Sequence, residues 1–320
     1  MDDNIRSPNI YADLRAFFTI GFQDAPNGLW LGKHRMSRDQ LPRFFYDTCM
    51  AKNIGLVALT SEDDKMLPHS PEDRFGHLTV ASRSLLSEYT LDLLDGGLLR
   101  VQRKRDNRIL LVLNSETVHA PQGINWQGLK LQVLGANRLT KNYSNIKDSI
   151  MNYNDQGLLT FLTGITAAPI EASVLDIPAK EAYGVITHDA NNAFYSWMRH
   201  VPKLGSAIGK YTTASNTAAE NIAMDFDKPG IAVSSAHFPH EMGRAGIFIP
   251  QTYLDLQNVR GSSCLLSCIR HTLDDRAHEC VRRYNRPEDV LRFGYLLAKY
   301  GQGEDRFEGD EASSYNRKDV

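Results

Sequence analysis

The feature that most constrains this chain is a short apolar run that ends abruptly in polar residues. Residues 231–233 read Ile-Ala-Val, which is typical of a buried strand, and Ser234, Ser235 and His237 follow directly. Similar runs with polar ends occur at residues 10–19, 56–64, 109–116 and 185–189. Because α/β barrels carry their chemistry where strands end in polar groups, the sequence predicts a barrel with its functional face at these ends.

Segments with helical spacing of apolar residues separate these runs. Residues 37–40 fit a capping box, and the apolar spacing over residues 41–49 predicts that Cys49 is a core residue rather than a reactive thiol. Further helical patterns are found at residues 80–94, 158–162, 191–199, 218–224, 263–284 and 287–300. Two more strands are predicted at residues 129–134 and 245–249. The alternation of strands and helices indicates a parallel sheet with right-handed crossovers.

Composition and charge restrict the cellular compartment and the kinds of partner that are expected. The chain of 320 residues has a net charge of −2 and a sequence pI of about 6.6, so nucleic-acid binding through a broad basic surface is not expected. Four cysteines do not make a disulfide framework in a chain of this length, which favours a reducing compartment. The acidic start without an apolar segment, and the lack of a long apolar run, predict a cytosolic protein with no membrane partner.

Taken in order, the strand ends resemble the polymerase and histidinol phosphatase (PHP) superfamily, whose members are metal-dependent phosphoesterases. The family's opening Asp-Leu-His-x-His pattern corresponds to residues 13–17 here, and its Thr-Asp-His strand end corresponds to residues 60–62. Its glutamate strand corresponds to Glu116 and its later strand histidine to His188. Its last motif, Ser-Asp-Ala-His, corresponds to residues 234–237.

The resemblance spans about residues 10–270 and implies a fold. The fold class is α/β, a PHP-like distorted β/α barrel of about seven mainly parallel strands ringed by helices. A single domain is expected over residues 1–300, followed by a flexible polar tail over residues 301–320 because that segment has no apolar pattern.

The departures from the family pattern concern the metal ligands. Arg15 and Phe17 stand where the family has two histidines, and Ser235 stands where it has an aspartate. The candidate ligands that remain are Glu116, His188 and His237. Two histidines and one glutamate can hold one zinc or manganese ion with an open position for water, so the resemblance implies a reduced, mononuclear site. The alternative is that the three are polar residues of a hydrogen-bonded pocket without a metal.

A second set of residues points to a bound anion. Arg15 brings a permanent positive charge to a position where the family holds metal, and guanidinium groups bind phosphate and carboxylate. Lys130, which stands near the position of another family histidine, and Ser235 are the further candidates for ligand binding. The alternative for Arg15 is a salt bridge at the barrel mouth. The candidate carboxylates for that salt bridge are Asp13, Glu62 and Glu116.

Cys264, Cys268 and His271 share one face of a predicted helix and suggest a zinc site. The apolar residues between them favour ordinary helix packing instead, since structural zinc sites usually pair ligands across a turn.

Three functions are compatible with these residues. The first is a catalytically reduced PHP-like protein that binds an anionic or phosphorylated small molecule, or a protein partner, at the barrel mouth. The second is a phosphoesterase in which the reduced metal site activates water. The third is a structural subunit of a larger assembly. We favour the first, because the full set of family metal ligands is missing.

Overall fold

The computed structural model describes residues 9–17, 29–31, 34–36, 41–62, 78, 83–119, 129–136, 146–164, 172–190, 205–236, 241–284, 286 and 288. The strands within these ranges are β1 Asn9–Phe17, β2 Leu29–Leu31, β3 His34–Met36, β4 Ile54–Glu62, β5 Tyr89–Leu94, β6 Leu98–Arg103, β7 Ile109–His119, β8 Lys130–Leu134, β9 Leu159–Thr163, β10 Gly184–Asp189, β11 Gly230–Val233, β12 Gly246–Pro250 and β13 Glu279–Val281. The helices are α1 Leu41–Ala51, α2 Arg83–Glu88, α3 Ile146–Asp155, α4 Ala172–Glu181, α5 Gly205–Asp225 and α6 Ser262–Asp274.

Most strands belong to one sheet that nearly closes on itself. The strands β1, β4 and β7 are parallel neighbours, and so are β9, β10 and β11. Between these groups, β8 runs antiparallel to both β7 and β9. A bridge between Ala16 and Ala236 brings the end of β11 beside β1, and β12 pairs antiparallel with β1. The predicted α/β class with a barrel-like sheet of mostly parallel strands is therefore confirmed.

The concave side of the sheet is filled by an apolar cluster, here called the interior cluster, to which nearly every strand contributes. Its strand residues include Ala12, Leu14, Leu56, Ala58, Leu111, Leu113, Leu134, Leu159, Phe161, Ile186, Ile231, Val233, Ile247 and Ile249. Leu265, Leu266 and Ile269 of α6 join it beside residues at the amino-terminal ends of the strands. Burial of each such side chain contributes about 1.5–3 kcal/mol, so α6 closes this end firmly.

Helices cover the outer side of the sheet in two patches. Phe45, Tyr46 and Cys49 of α1 pack on Val57 and Val112, so the prediction that Cys49 is a core residue is confirmed. A second outer cluster joins α3, α4 and α5 to the strands β8, β9 and β10. Among the described residues, helices cover the outside and α6 covers the amino-terminal end, so a site is expected at the carboxyl end of the parallel strands.

The predicted helix over residues 80–94 is wrong in its second half. The helix α2 ends at Glu88, and β5 follows at once as the outer strand of a hairpin with β6. Gly96 and Gly97 have φ angles of 73° and 71°, so they form the hairpin turn rather than the end of a helix.

Two other helical predictions fail for different reasons. Residues 158–162 lie mainly in β9, because a short apolar run cannot be told from a buried strand by its periodicity. The helix predicted over residues 263–284 ends at Asp274, and β13 follows it. Arg276, with a φ of 51°, takes the left-handed position of a Schellman motif, and the N–H of Ala277 donates to the carbonyl of Thr272.

Several predictions concern residues outside the described ranges. They are the capping box over residues 37–40, the helix over residues 191–199, most of the helix over residues 287–300, the histidine at position 237 and the tail over residues 301–320. Within the described ranges, none of the helices has the length and apolar character needed to cross a membrane.

Gly246 marks a close contact between β12 and β1. A Cβ atom there would lie 2.5 Å from the carbonyl oxygen of Ala12 and 2.8 Å from the ring of Tyr11. We expect Gly246→Ala to lower the free energy of unfolding by about 3 kcal/mol, because backbone cannot retreat from the added methyl group. Gly157→Ala is the matched control, since open space surrounds Gly157 and only its φ of 77° is unfavourable, at about 1 kcal/mol. Equal losses in urea unfolding would contradict this account of the contact.

Candidate functional site

An irregularity in β1 turns one charged side chain into the barrel. Leu14 and Arg15 together lie opposite the single residue Ala58 of β4, because the pairing shifts by one between Asp13 and Ala16. A bulge of this kind re-aims the side chains that flank it. Leu14 belongs to the interior cluster, and the extra residue directs Arg15 to the same concave side.

Arg15 crosses the interior to the carboxyl ends of three other strands. Its Nη1 donates to Thr163 Oγ1 at 2.9 Å, to Asp189 Oδ2 at 3.2 Å and to Ser235 Oγ at 3.3 Å. The hydroxyl of Ser235 in turn donates to Asp189 Oδ2 at 2.7 Å. Arg15 is only 5% exposed, so its charge is largely removed from water. The hydrogen bonds and the ion pair with these partners offset the cost of this desolvation. We call these four residues the Arg15 cluster.

Lys130 lies beside the Arg15 cluster. It is the first residue of β8, and because β8 runs antiparallel its first residue is at the carboxyl end of its neighbours. Lys130 pairs in register with Thr163, so the two side chains project on the same face of the sheet. The structure thus brings Arg15, Lys130 and Ser235, the three residues predicted to bind a ligand, to one end of the barrel.

The buried side-chain amide of Gln132 supports the bulge through the carbonyl group of Leu14. The Nε2 of Gln132 donates to the carbonyl of Leu14 at 2.7 Å, to Ser115 Oγ at 2.8 Å and to Thr60 Oγ1 at 3.3 Å. All four residues are buried. The amide therefore ties β8 to β1, β4 and β7, and forms a polar layer between the apolar interior cluster and the Arg15 cluster.

Asp13, on the other side of β1, joins the two edges of the sheet. Its carboxylate accepts hydrogen bonds from the backbone N–H groups of Ser234 at 3.2 Å and Gly243 at 3.0 Å, and a longer one of 3.5 Å from Arg15 N–H. Burial raises the pKa of Asp13 to about 6, although the hydrogen bonds from Ser234 and Gly243 act in the opposite direction. Asp13 is therefore a structural acceptor, and among the described residues the salt-bridge partner of Arg15 is Asp189.

His188 points away from the Arg15 cluster. Its Nδ1 accepts from Asn216 Nδ2 of α5 at 3.3 Å, its Nε2 lies 3.5 Å from the carbonyl oxygen of Arg283, and its ring packs on Tyr284. These contacts correspond to the tautomer protonated on Nε2. Burial lowers the pKa of His188, which favours this neutral form. The next residue, Asp189, faces the interior instead, beside a register shift between β10 and β11.

Glu116 is buried on the outer side of β7. It pairs in register with Val133, which belongs to the outer cluster on α3, so its side chain projects to that face. The strands β8 and β9 lie between Glu116 and His188, which corresponds to about 14 Å across three strand spacings. The structure does not bring these two predicted ligands together.

The third predicted ligand, His237, lies outside the described residues. Within the part of the chain that the structure describes, no three His, Cys, Asp or Glu side chains form a group that could hold a metal ion. The mononuclear zinc or manganese site stays a prediction. On α6, Cys264 is exposed, Cys268 packs against the interior cluster, and His271 lies 3.6 Å from Asp275.

Sequence analysis missed three residues of this site. Asp189 was visible as the polar end of a strand, but its pairing with Arg15 depends on the register of β10. Thr163 and Gln132 carry no sequence signal, since a threonine or glutamine in a short apolar strand has no motif. Their roles follow only from the arrangement of the strands.

Two clefts among the described residues lie elsewhere. The larger, of about 800 Å³, lies between α1 and the turn that joins β6 to β7, and its charged lining includes Asp47, Arg105 and Arg108. The smaller, of about 500 Å³, lies at the amino-terminal ends of β1 and β4. Neither contains a residue predicted to bind a ligand.

Comparison with known proteins gives no family. No family model matches the chain, and no curated protein matches it. Among solved structures, the crystal structure of PsfC from Pseudomonas syringae PB-5123 is similar, with a TM-score of 0.48 and 7% sequence identity over 92% of this chain and 98% of that chain. A likeness at this level says nothing about the activity of the chain.

The raised pKa of Asp13 predicts a dependence of stability on pH. Because the pKa of the folded state, about 6, lies above the ordinary 3.8, the folded protein binds this proton more tightly. The resulting stabilisation, on the order of 1–3 kcal/mol, is present below about pH 4 and is lost as the pH rises through 6. In urea unfolding from pH 4 to pH 7, we expect Asp13→Asn to lack this decline relative to the wild type.

Asp92→Asn is the control for this measurement, because Asp92 is an exposed carboxylate on β5. Its pH profile should follow that of the wild type. The same decline in wild type and Asp13→Asn would show that another group is responsible.

Proposed function

We propose that the protein binds a small anionic ligand, such as a phosphorylated metabolite, at the carboxyl end of a PHP-like barrel through Arg15, Lys130 and Ser235. The observation that carries this proposal is the bulge in β1, which turns Arg15 inward, where groups from three other strands hold it. Ligands of α/β barrels bind at this end, which supports the location.

The chemistry of the residues supports an anion. A guanidinium group stays charged at all relevant pH values and its planar fork matches phosphate and carboxylate oxygens. Arg15 is already ordered by its partners, so binding costs little additional side-chain entropy. Lys130 adds a second positive charge on the same face.

Substrate hydrolysis would require more than this arrangement. Attack on a phosphate ester needs a group that activates water, which in the family is a metal ion. The phosphoesterase with Glu116, His188 and His237 as ligands, and the role as a structural subunit, remain separate predictions. We therefore propose that this end of the barrel binds the anion.

The test is thermal unfolding and calorimetry with orthophosphate and simple phosphate monoesters at constant ionic strength. Saturating ligand, at about 100 times its Kd, should stabilise the wild type by about 2.7 kcal/mol. Arg15→Met should weaken binding by at least about tenfold, because a charged contact to the anion is lost. Arg105→Met, which removes an exposed arginine outside the barrel, is the matched control and should bind as the wild type does.

Thr163→Val is a second variant that tests the same site if Arg15→Met does not fold. It keeps the charge but removes the 2.9 Å hydrogen bond that orders Arg15, so a smaller loss of affinity, of about three- to tenfold, is expected. Unchanged affinity in both variants, or no stabilisation of the wild type by any phosphate, would contradict the proposal.

A further inference from the structure

The amide of Gln132 leaves one buried atom without a partner. Its Nε2 donates to the carbonyl of Leu14, which can only accept, so the orientation of the amide is fixed and Oε1 points away from these contacts. Oε1 is buried and accepts no hydrogen bond from any residue that the structure describes. Buried carbonyl groups are rarely left in this state, so Oε1 calls for an explanation.

A second such atom lies on the neighbouring strand. Thr117 of β7 pairs in register with Gln132 of β8, so the two side chains project side by side on the concave face. The hydroxyl of Thr117 is also buried and has no hydrogen-bond partner within the described ranges. An acceptor and a hydroxyl are therefore both unsatisfied at one place in the polar layer.

The pair lies next to the residues proposed to bind the anion. Gln132 holds the carbonyl of Leu14, the residue before Arg15, and Lys130 is two positions before Gln132 on the same face of β8. A molecule whose anionic group is held by Arg15 and Lys130 would present its adjoining atoms to Gln132 and Thr117.

We infer that Gln132 Oε1 and Thr117 Oγ1 form a subsite for a hydroxyl group of the ligand, so the ligand class is a hydroxylated anion such as a polyol phosphate. This inference rests on the proposed function. One hydroxyl group satisfies both atoms, because it donates to Gln132 Oε1 and accepts from the hydroxyl of Thr117. A methylene group in its place would leave both atoms buried and unpaired, which is how such sites reject analogues that lack the hydroxyl.

The ligand-free protein provides the first test. We expect Thr117→Val to keep the thermal midpoint of the wild type or raise it, because it replaces an unpaired hydroxyl by a methyl group of similar shape. Thr160→Val is the matched control, since Thr160 is a buried threonine of β9 whose hydroxyl donates to Asn154 Oδ1 at 3.0 Å, and it should lower the midpoint. An equal fall in both variants would show that Thr117 is already hydrogen-bonded and would overturn the inference.

The second test compares glycerol 3-phosphate with n-propyl phosphate by calorimetry. The two esters share the phosphate and the three-carbon chain, and only the first carries free hydroxyl groups. We expect the wild type to bind glycerol 3-phosphate at least about tenfold more tightly. In Thr117→Val, which leaves the amide of Gln132 and its contacts in place, this preference should fall below about threefold while the affinity for n-propyl phosphate changes little.

The outcomes separate this inference from the proposed function. Equal affinity of the wild type for both esters would overturn the hydroxyl subsite and leave anion binding intact. A preference that survives in Thr117→Val would also overturn it, because the hydroxyl group would then bind elsewhere. Failure of both esters and of orthophosphate to bind would remove the proposed function together with the subsite.

Discussion

The arrangement of the site depends on one extra residue in the pairing of β1 with β4. In a regular strand, side chains alternate between the two faces, and Arg15 would share the outer face with Asp13. The bulge breaks this alternation, so that Arg15 enters the barrel while Asp13 stays outside and holds the end of β11. Two charged residues that are nearly adjacent in sequence thus act on opposite sides of the same strand.

A buried charge constrains everything around it. Arg15 is tolerated in the interior because polar groups arrive from β9, from β10 and from the residue that follows β11 by two positions. Ser235 reaches Asp189 through a backbone φ of 48°, which is unusual for a residue other than glycine. The apolar interior cluster then supplies rigid strands, so these polar groups are held at fixed positions above it.

The sequence allowed the coarse fold to be predicted, because short apolar runs with polar ends identify buried strands, and the order of strands and helices identifies the class. The register in which the strands pair could not be predicted from the sequence. His188 and Asp189 are both polar residues at one strand end, yet only Asp189 faces the interior, beside a register shift that no pattern in the run reveals. The turn at Gly96 and Gly97 shows the same limit, since a glycine pair ends a helix or forms a hairpin with equal ease.

The partners of Arg15 lie far from it along the chain, at separations of 148, 174 and 220 residues. During synthesis Ser235 follows the arginine by roughly 10–45 s at ordinary elongation rates. Contacts this distant also slow folding, because loop closure must precede them. The charge of Arg15 therefore lacks its full set of native partners until Ser235 has been synthesised, and the amino-terminal strands complete their barrel only when nearly the last of the sheet has left the ribosome.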